Sequence, residues 1–410
     1  MIDISSKQNI FIFLLFLIGF LLGIGIDLYV PALPVISQYY TTPQSSVQLS
    51  ISLYMLGYGA SQIFFGILSD AWGRRKILLA ASAAYTVISF SSIFAPTMLC
   101  LNILRLLQGV SVGGLAVVAR ALLVDCFSGA ALLKASSWFG LSCSLGPILG
   151  PFIGSLLQTY FSWQTDFFFF AVYGLLLFAI ILLKVPETST CRQPMDLRQA
   201  YHTIKSISFQ SIFSRTTLIG GIGYSIIVLF NILGPFLLED SLGVDPLTYG
   251  YIALGLGLAY FLGCTVNRLI SQYCSLDKML LISMAALVCI SAGMLITAIL
   301  FPFTANSLVL PIGFMFFSCG FTVPCSLAKT MQLFPQHAGV ASSIFGALSG
   351  LVVFSLTFFA RFLPTNTQIP LSCTYLSLSL LGLLLLSGTL SFVSKHTVST
   401  NRLCPGTKNV

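Results

Sequence analysis

Two ionisable residues stand inside long apolar runs, and their chemistry is the first thing to explain. Asp27 closes the run "FLIGFLLGIGID", and Arg105 interrupts "LNILRLLQGVSVGG" at 101–114. A charge within a membrane-spanning helix is costly, so it usually faces a partner or a wet cavity and marks an ion or substrate path. Asp27 is expected about a turn from the outer end of the first helix. Arg105 is expected about two turns into the fourth helix from the same side, at comparable depth. Burial and a nearby cation pull a carboxyl's proton binding in opposite directions. A pair of this kind could therefore capture and release a proton as helices move. Snorkelling to the outer interface, or a fixed structural ion pair, is the alternative reading.

Other polar residues are placed to line a cavity: Gln62 on the second helix, Asn102 and Gln108 on the fourth, Asn231 on the seventh and Tyr260 on the eighth. Asn102, Arg105 and Gln108 are spaced by three and share a helix face. Each of the five could instead bond across helices for packing, equally so for Asn231 and Tyr260.

The stretch "GILSDAWGRRK" at 66–76 gathers one Asp, two Arg and a Lys in a chain only 7% charged. Arg74, Arg75 and Lys76 are ordinary basic residues for a cytoplasmic loop. Asp70 is not ordinary, because a carboxylate near a helix C-terminus faces the negative end of the dipole. It needs a neighbouring cation or the N-terminus of another helix, such as "HAGVASS" at 337–343. Gly66 and Gly73 allow close approach and a tight turn. The arrangement reads as a latch between helices that can separate.

The elements that position these residues follow from composition. The chain has 410 residues, 57% hydrophobic, and a mean hydropathy of +0.97. A soluble domain carries about a quarter charged residues, so lipid is the solvent for most of this surface. The formal charge of +8 comes from basic residues set singly between apolar runs, which excludes a nucleic-acid face. Eleven Cys are scattered without a CxxC pair and read as small packing residues.

Runs of about 20 apolar residues place spanning helices near 10–30, 47–68, 77–95, 99–121, 135–156 and 165–184. A second set lies near 216–238, 248–268, 279–300, 308–328, 339–361 and 372–393. The first run carries no A-x-A-like cleavage site and reads as a retained helix. The expected organisation is an N-terminal six-helix half (1–184), a connector with an amphipathic helix (185–215), a C-terminal six-helix half (216–395) and a tail (396–410). In the connector, Leu197, Tyr201, Ile204 and Ile207 share one helical face, as for a helix lying on the membrane surface. With both termini cytoplasmic, every Lys and Arg except Arg105 and Arg361 falls on the cytoplasmic side or at that edge, as the positive-inside rule asks. "LGYGASQIFFG" at 56–66 is echoed by "LGLGLAYFLG" at 254–263, which supports two related halves.

The chain resembles the major facilitator superfamily. Gly66, Leu68, Ser69, Asp70, Gly73, Arg74 and Arg75 match its G-x-L-S-D-x-x-G-R-R loop pattern. The resemblance implies that this loop stabilises one of two alternating states, with Asp125 in "ARALLVD" as the acidic partner of its arginines. "LNILRLLQG" matches the fourth-helix pattern L-x-x-x-R-x-x-Q-G. "SLGPILGPFIG" at 144–154 is similar to the G-P-x-x-G pattern of proton-coupled antiporters, through Gly146, Pro147 and Gly150, although Pro151 stands where a second Gly is common. Gly146, Gly150 and Gly154 recur every four residues and form a smooth packing face. "DLYVPALP" and "GPFLLEDSLGVDPLTYGYIALG" resemble the Bcr/CflA-type drug:proton antiporters.

The fold expected is an all-α membrane protein with twelve transmembrane helices in two six-helix halves. The function expected is proton-coupled secondary transport that exports a small amphiphilic compound by alternating access. Export of a self-made metabolite such as a siderophore, amino acid or sugar is the alternative. A channel would need polar pore rings, and an enzyme would need a reactive cluster, whereas His202, His337 and His396 are isolated. No G-x-x-x-x-G-K-[ST] loop for ATP occurs. Neither metal nor cofactor is implied. The expected partners are substrate, protons and lipid, in a monomer of the bacterial inner membrane.

Overall fold

Length and apolarity dictate helices, since lipid leaves backbone polar groups no partner outside their own segment. The computed structural model describes residues 4–188, 197–334 and 338–401. The expectations that concern Arg192, His337, Arg402 and Lys408 lie outside the described residues. Among the described residues, twelve spans are long and apolar enough to cross a membrane, from Asn9–Tyr39 to Ile369–Gly388.

The first half comprises α1 (Ile4–Asp27), α2 (Leu33–Tyr39), α3 (Gln44–Trp72), α4 (Arg74–Ile93), α5 (Met98–Cys126), α6 (Gly129–Tyr160) and α7 (Gln164–Lys184). The second comprises α9 (Ser211–Pro235), α10 (Pro246–Ile270), α11 (Leu276–Leu300), α12 (Ala305–Leu333), α13 (Ala338–Ala360) and α14 (Ile369–Asn401). Between them runs α8 (Leu197–Ser208). We call the end where α3 turns into α4 the loop face, and the other end the opposite face.

The structure departs from these expectations in three places. The first span is not one helix to residue 30. It breaks after Asp27 into a 3-10 turn, Val30–Ala32, before α2 resumes. Pro31 and Pro34 lack the N–H that an unbroken ladder would use. The connector carries a helix, Leu197–Ser208, whose last two stripe residues pack on protein: Ile207 is buried with Phe213, Ala341 and Ile344, and Ile204 packs beside them. The last helix runs on to Asn401, into the segment expected to be tail.

The halves meet along two small-residue seams. On one, α3 packs against α13 at Gly59 and Gly350, where a methyl on Gly350 would stand 2.8 Å from the Gly59 Cα. On the other, α6 packs against α10, where a methyl on Gly257 would come within 2.6 Å of the Pro147 carbonyl oxygen. At the opposite face, hydrogen bonds cross between the halves. Gln44 Nε2 donates to Asp240 at 3.2 Å, and Thr365 Oγ1 donates to Gln44 at 2.9 Å.

Candidate functional site

The break in α1 creates the first site. Beyond Ile24 the α ladder gives way. Leu28 N still reaches Ile24 O, but Tyr29 N turns to Ile26 O. The Gly25 carbonyl is thereby left without its usual partner. Arg105 Nη2 donates to it at 3.2 Å. Arg105 Nη1 donates to Gln108 Oε1 at 2.9 Å, and Gln108 Nε2 donates to Ser89 Oγ at 2.8 Å. The guanidinium lies over the Tyr29 and Tyr54 rings, 4.7 and 4.5 Å from their centroids. It is fully buried, held by planar stacking and a fork of donors that a lysine could not reproduce.

Asp27 sits at the end of the same helix and is also buried, but it and Arg105 form no ion pair among the described residues. The Asp27 carboxylate accepts a hydrogen bond from Asn231 Nδ2 of α9, in the other half. A second buried acid of this half is Asp166, in the first turn of α7. It is completely buried, and neither carboxylate oxygen has a hydrogen-bond partner. Its position one turn into a helix looked like an exposed N-terminal acid, and no signal in the chain distinguishes the two.

The glycine face of α6 fits this break. A methyl on Gly146 would overlap the Gly23 backbone, and one on Gly154 would overlap the Leu28 carbonyl oxygen. On Gly150 it would stand 2.8 Å from the Asp27 Cβ. Pro147 lies on the same helix against α10. The small residues let α6 track the end of α1 at backbone distance.

A cavity of about 140 Å³ lies between the halves on the loop-face side of the Gly59–Gly350 contact. Its lining includes Tyr58, Arg120, Tyr224, Ser342, Phe345 and Ser349. Gln62 reaches it only through Arg120. Arg120 Nη2 donates to Gln62 Oε1, while Gln62 Nε2 donates to the Tyr58 carbonyl at 3.2 Å. Asn102, Gln108, Asn231 and Tyr260 do not line it. Asn102 instead donates to the Ser46 carbonyl at 3.1 Å, and Tyr260 packs where α10 meets α12 at Gly320. Arg120 read as one more basic residue at a membrane edge. Its charge, two turns in from the end of α5, was the available signal. Tyr224 lines the cavity from α9, the helix that also carries Asn231.

The loop at 66–76 is tied to its own half. Gly73 closes α3 with φ of 99°, a backbone that side chains rarely adopt. Arg74 bonds Asp70 one turn earlier and donates from Nε to Asp125 at 3.0 Å. Arg75 Nη2 donates to the Leu182 carbonyl at 2.8 Å. Glu187, not anticipated, accepts from the Arg74 backbone N–H at 2.9 Å. Gly66 faces Val117 of α5 with room to spare. Asp70 thus has the cation it required, from its own loop.

The second half carries a counterpart with the charges exchanged. Asp277, where α10 turns into α11, pairs with Lys329 near the end of α12. The sign of each partner is reversed relative to Arg74 and Asp125, so a search for like residues passes over it.

The Major Facilitator Superfamily profile matches residues 15–357. The chain belongs to the Major Facilitator Superfamily. Among superfamily relatives it is similar to an "Uncharacterized transporter" of Rickettsia bellii, 28% identical over 83% of this chain and 86% of that one. It is similar also to "Multidrug resistance protein D" of Escherichia coli, 26% identical over 87% and 89% respectively. Its fold matches the crystal structure of a D-xylose-proton symporter with a TM-score of 0.75, over 93% of this chain and 97% of that one, at 14% identity. This member of the superfamily is an all-α membrane protein with twelve spans in two six-helix halves.

Proposed function

We propose that this superfamily member is a proton-coupled antiporter that exports a small amphiphilic compound from the bacterial cytoplasm by alternating access. The loop face is then the cytoplasmic side, as the positive-inside pattern asks, and the chain works as a monomer in the inner membrane. The subfamily reading is the Bcr/CflA type. Relatives named multidrug resistance proteins support drug efflux over export of a native metabolite.

One observation carries the mechanism: the buried Asp27 carboxylate, at the break of α1, is held by Asn231 of the opposite half. A hydrogen bond to an ionised acceptor is about twice as strong as one between neutral groups. With the halves closed at the opposite face, Asn231 supports the charged carboxylate, and the proton leaves toward the cytoplasm through the cavity. When the halves part at this level, that donor is withdrawn. The carboxyl then meets the outer solution and takes a proton there. Arg105 acts indirectly, fixing the Gly25 carbonyl and so the break that aims Asp27.

The test is transport into inverted membrane vesicles with an acid interior. Labelled aromatic carboxylates, amides and quaternary amines should include at least one compound that accumulates uphill and is released by a protonophore. Equilibration without uphill accumulation for the whole set would exclude antiport.

A further inference from the structure

We infer that the cavity beside Arg120 binds the anionic group of the exported compound, an oxyanion such as a carboxylate, phosphate or sulfonate. The inference rests on the transport reading above and narrows its substrate class.

Arg120 is the one charged residue lining this cavity, and no Asp or Glu lines it among the described residues. Its bonded partner is a neutral amide, Gln62, whose own Nε2 is committed to the Tyr58 carbonyl. Gln62 therefore aims the guanidinium without neutralising it. The Arg120 Nε–H is buried with no hydrogen-bond partner. So is the hydroxyl of Ser349, a residue only 6% exposed. Both can donate, and a buried donor left unmade costs free energy that a ligand can recover.

The acid nearest in sequence and the acid of the proposed proton site are occupied elsewhere. Asp125, one turn further along α5, is bonded to Arg74, and Asp27 is bonded to Asn231. A planar guanidinium with free donors matches an oxyanion in charge and in fork geometry. Around it, Tyr58, Tyr224 and Phe345 supply apolar and aromatic surface for the body of the molecule. Gly346 explains why the donors meet a gap here. A methyl there would stand 3.3 Å from Arg120 Nη2 and would collide with Gln62 Oε1. The cavity lies on the seam, so a ligand held by Arg120 of one half and Ser349 of the other spans both.

The experiment compares three dansyl probes of one shape: dansylglycine (a carboxylate), dansylamide (neutral) and dansylcholine (a cation). Binding to the purified full chain in phosphatidylcholine nanodiscs is read by fluorescence. Dansylglycine should bind about tenfold or more tighter than dansylamide, with dansylcholine weakest. Arg120→Ala should erase that order, Arg120→Lys should keep part of it, and Ser349→Ala should weaken dansylglycine alone. Equal binding of the three probes by the wild-type chain overturns the inference without any variant. So does an unchanged preference in a folded Arg120→Ala.

An anionic lipid headgroup offers the same chemistry. Repeating the titration with phosphatidylglycerol present separates the sources. Dansylglycine binding that persists supports a dissolved substrate, whereas binding abolished by the lipid overturns the assignment to an exported compound. The binding and transport outcomes are independent. Charge-selective binding without uphill transport defeats the antiport mechanism alone, and uphill transport without anion preference defeats this inference alone.

Discussion

Asn231 of α9 donates its side-chain amide to the Asp27 carboxylate of α1, joining the two halves through one buried polar contact. The chain on either side of both partners is buried: Ile26 and Leu28 flank Asp27, and Phe230 and Ile232 flank Asn231. A hydrogen bond in such surroundings is strong when made and costly when broken. The contact therefore joins two events that a transporter must link, the charge on an acid and the closure of one end of the seam.

Asp27→Asn should hold the site permanently neutral. Gradient-driven uphill transport should disappear while binding of substrate survives. Proton release on adding substrate to the purified protein is the direct readout. Undiminished release from the variant would move the proton site away from Asp27.

Much of this site was legible in the chain, and the remainder was not, for identifiable reasons. Asp27 and Arg105 stood out because charge inside an apolar run is costly, and burial of both follows from that. The glycines of α6 were legible by their spacing of four. Partnerships were not. Asn231 lies 204 residues from Asp27, and nothing in either segment encodes the other. Depth alone put Asp27 and Arg105 together, whereas the break of α1 turns the Gly25 carbonyl toward Arg105 and leaves Asp27 to α9. Arg120 was hidden by the positive-inside pattern, which explains a basic residue near a helix end without asking what it faces.

Arg105 should tolerate lysine better than alanine, and neither well. Lysine keeps the charge but loses the stacked fork over Tyr29 and Tyr54. Alanine also strips the Gly25 carbonyl and Gln108 Oε1 of the donor that Arg105 gives them. Leaving a buried acceptor without its donor costs about 1–3 kcal/mol. Thermal unfolding in detergent should rank wild type above Arg105→Lys above Arg105→Ala, and transport should follow the same order.

Gly154→Val should destabilise the first half by about 1–3 kcal/mol or more, because the new side chain meets the rigid Leu28 backbone. Gly140→Ala on the same helix is the control, since a methyl there has nothing within 4 Å. Its unfolding temperature should match wild type. Equal effects of the two changes would remove the close-packing account of the α6 glycines.

Asp245 caps α10, accepting from the Thr248 N–H at 2.9 Å and the Thr248 hydroxyl at 2.7 Å. Those bonds favour the charged form and hold its carboxyl below the usual range. With the folded value depressed, the cap's contribution is complete above the unfolded value of about 4. It is lost as pH falls through the folded value. Hydrogen exchange at the start of α10 should therefore quicken at acid pH in wild type, and should be fast and flatter with pH in Asp245→Ala.

The Asp70–Arg74–Asp125 chain and the Asp277–Lys329 pair occupy matching corners of the two halves with opposite polarity. If they only pinned their own loops, neutralising any member would loosen that loop and leave access to the cavity unchanged. A latch predicts more. With Arg74 released from Asp70, the loop that joins α3 to α4 is free to shift, and α3 carries both the Gly59 seam and the cavity residue Tyr58. Asp70→Asn should then fold and insert normally but change the labelling rate of a single cysteine placed at Ser342, on a background freed of native cysteines. Asp125→Asn should shift it the same way, since both release Arg74. Labelling identical to the parent in both variants would leave the loop a structural clamp, with no part in the conformational equilibrium.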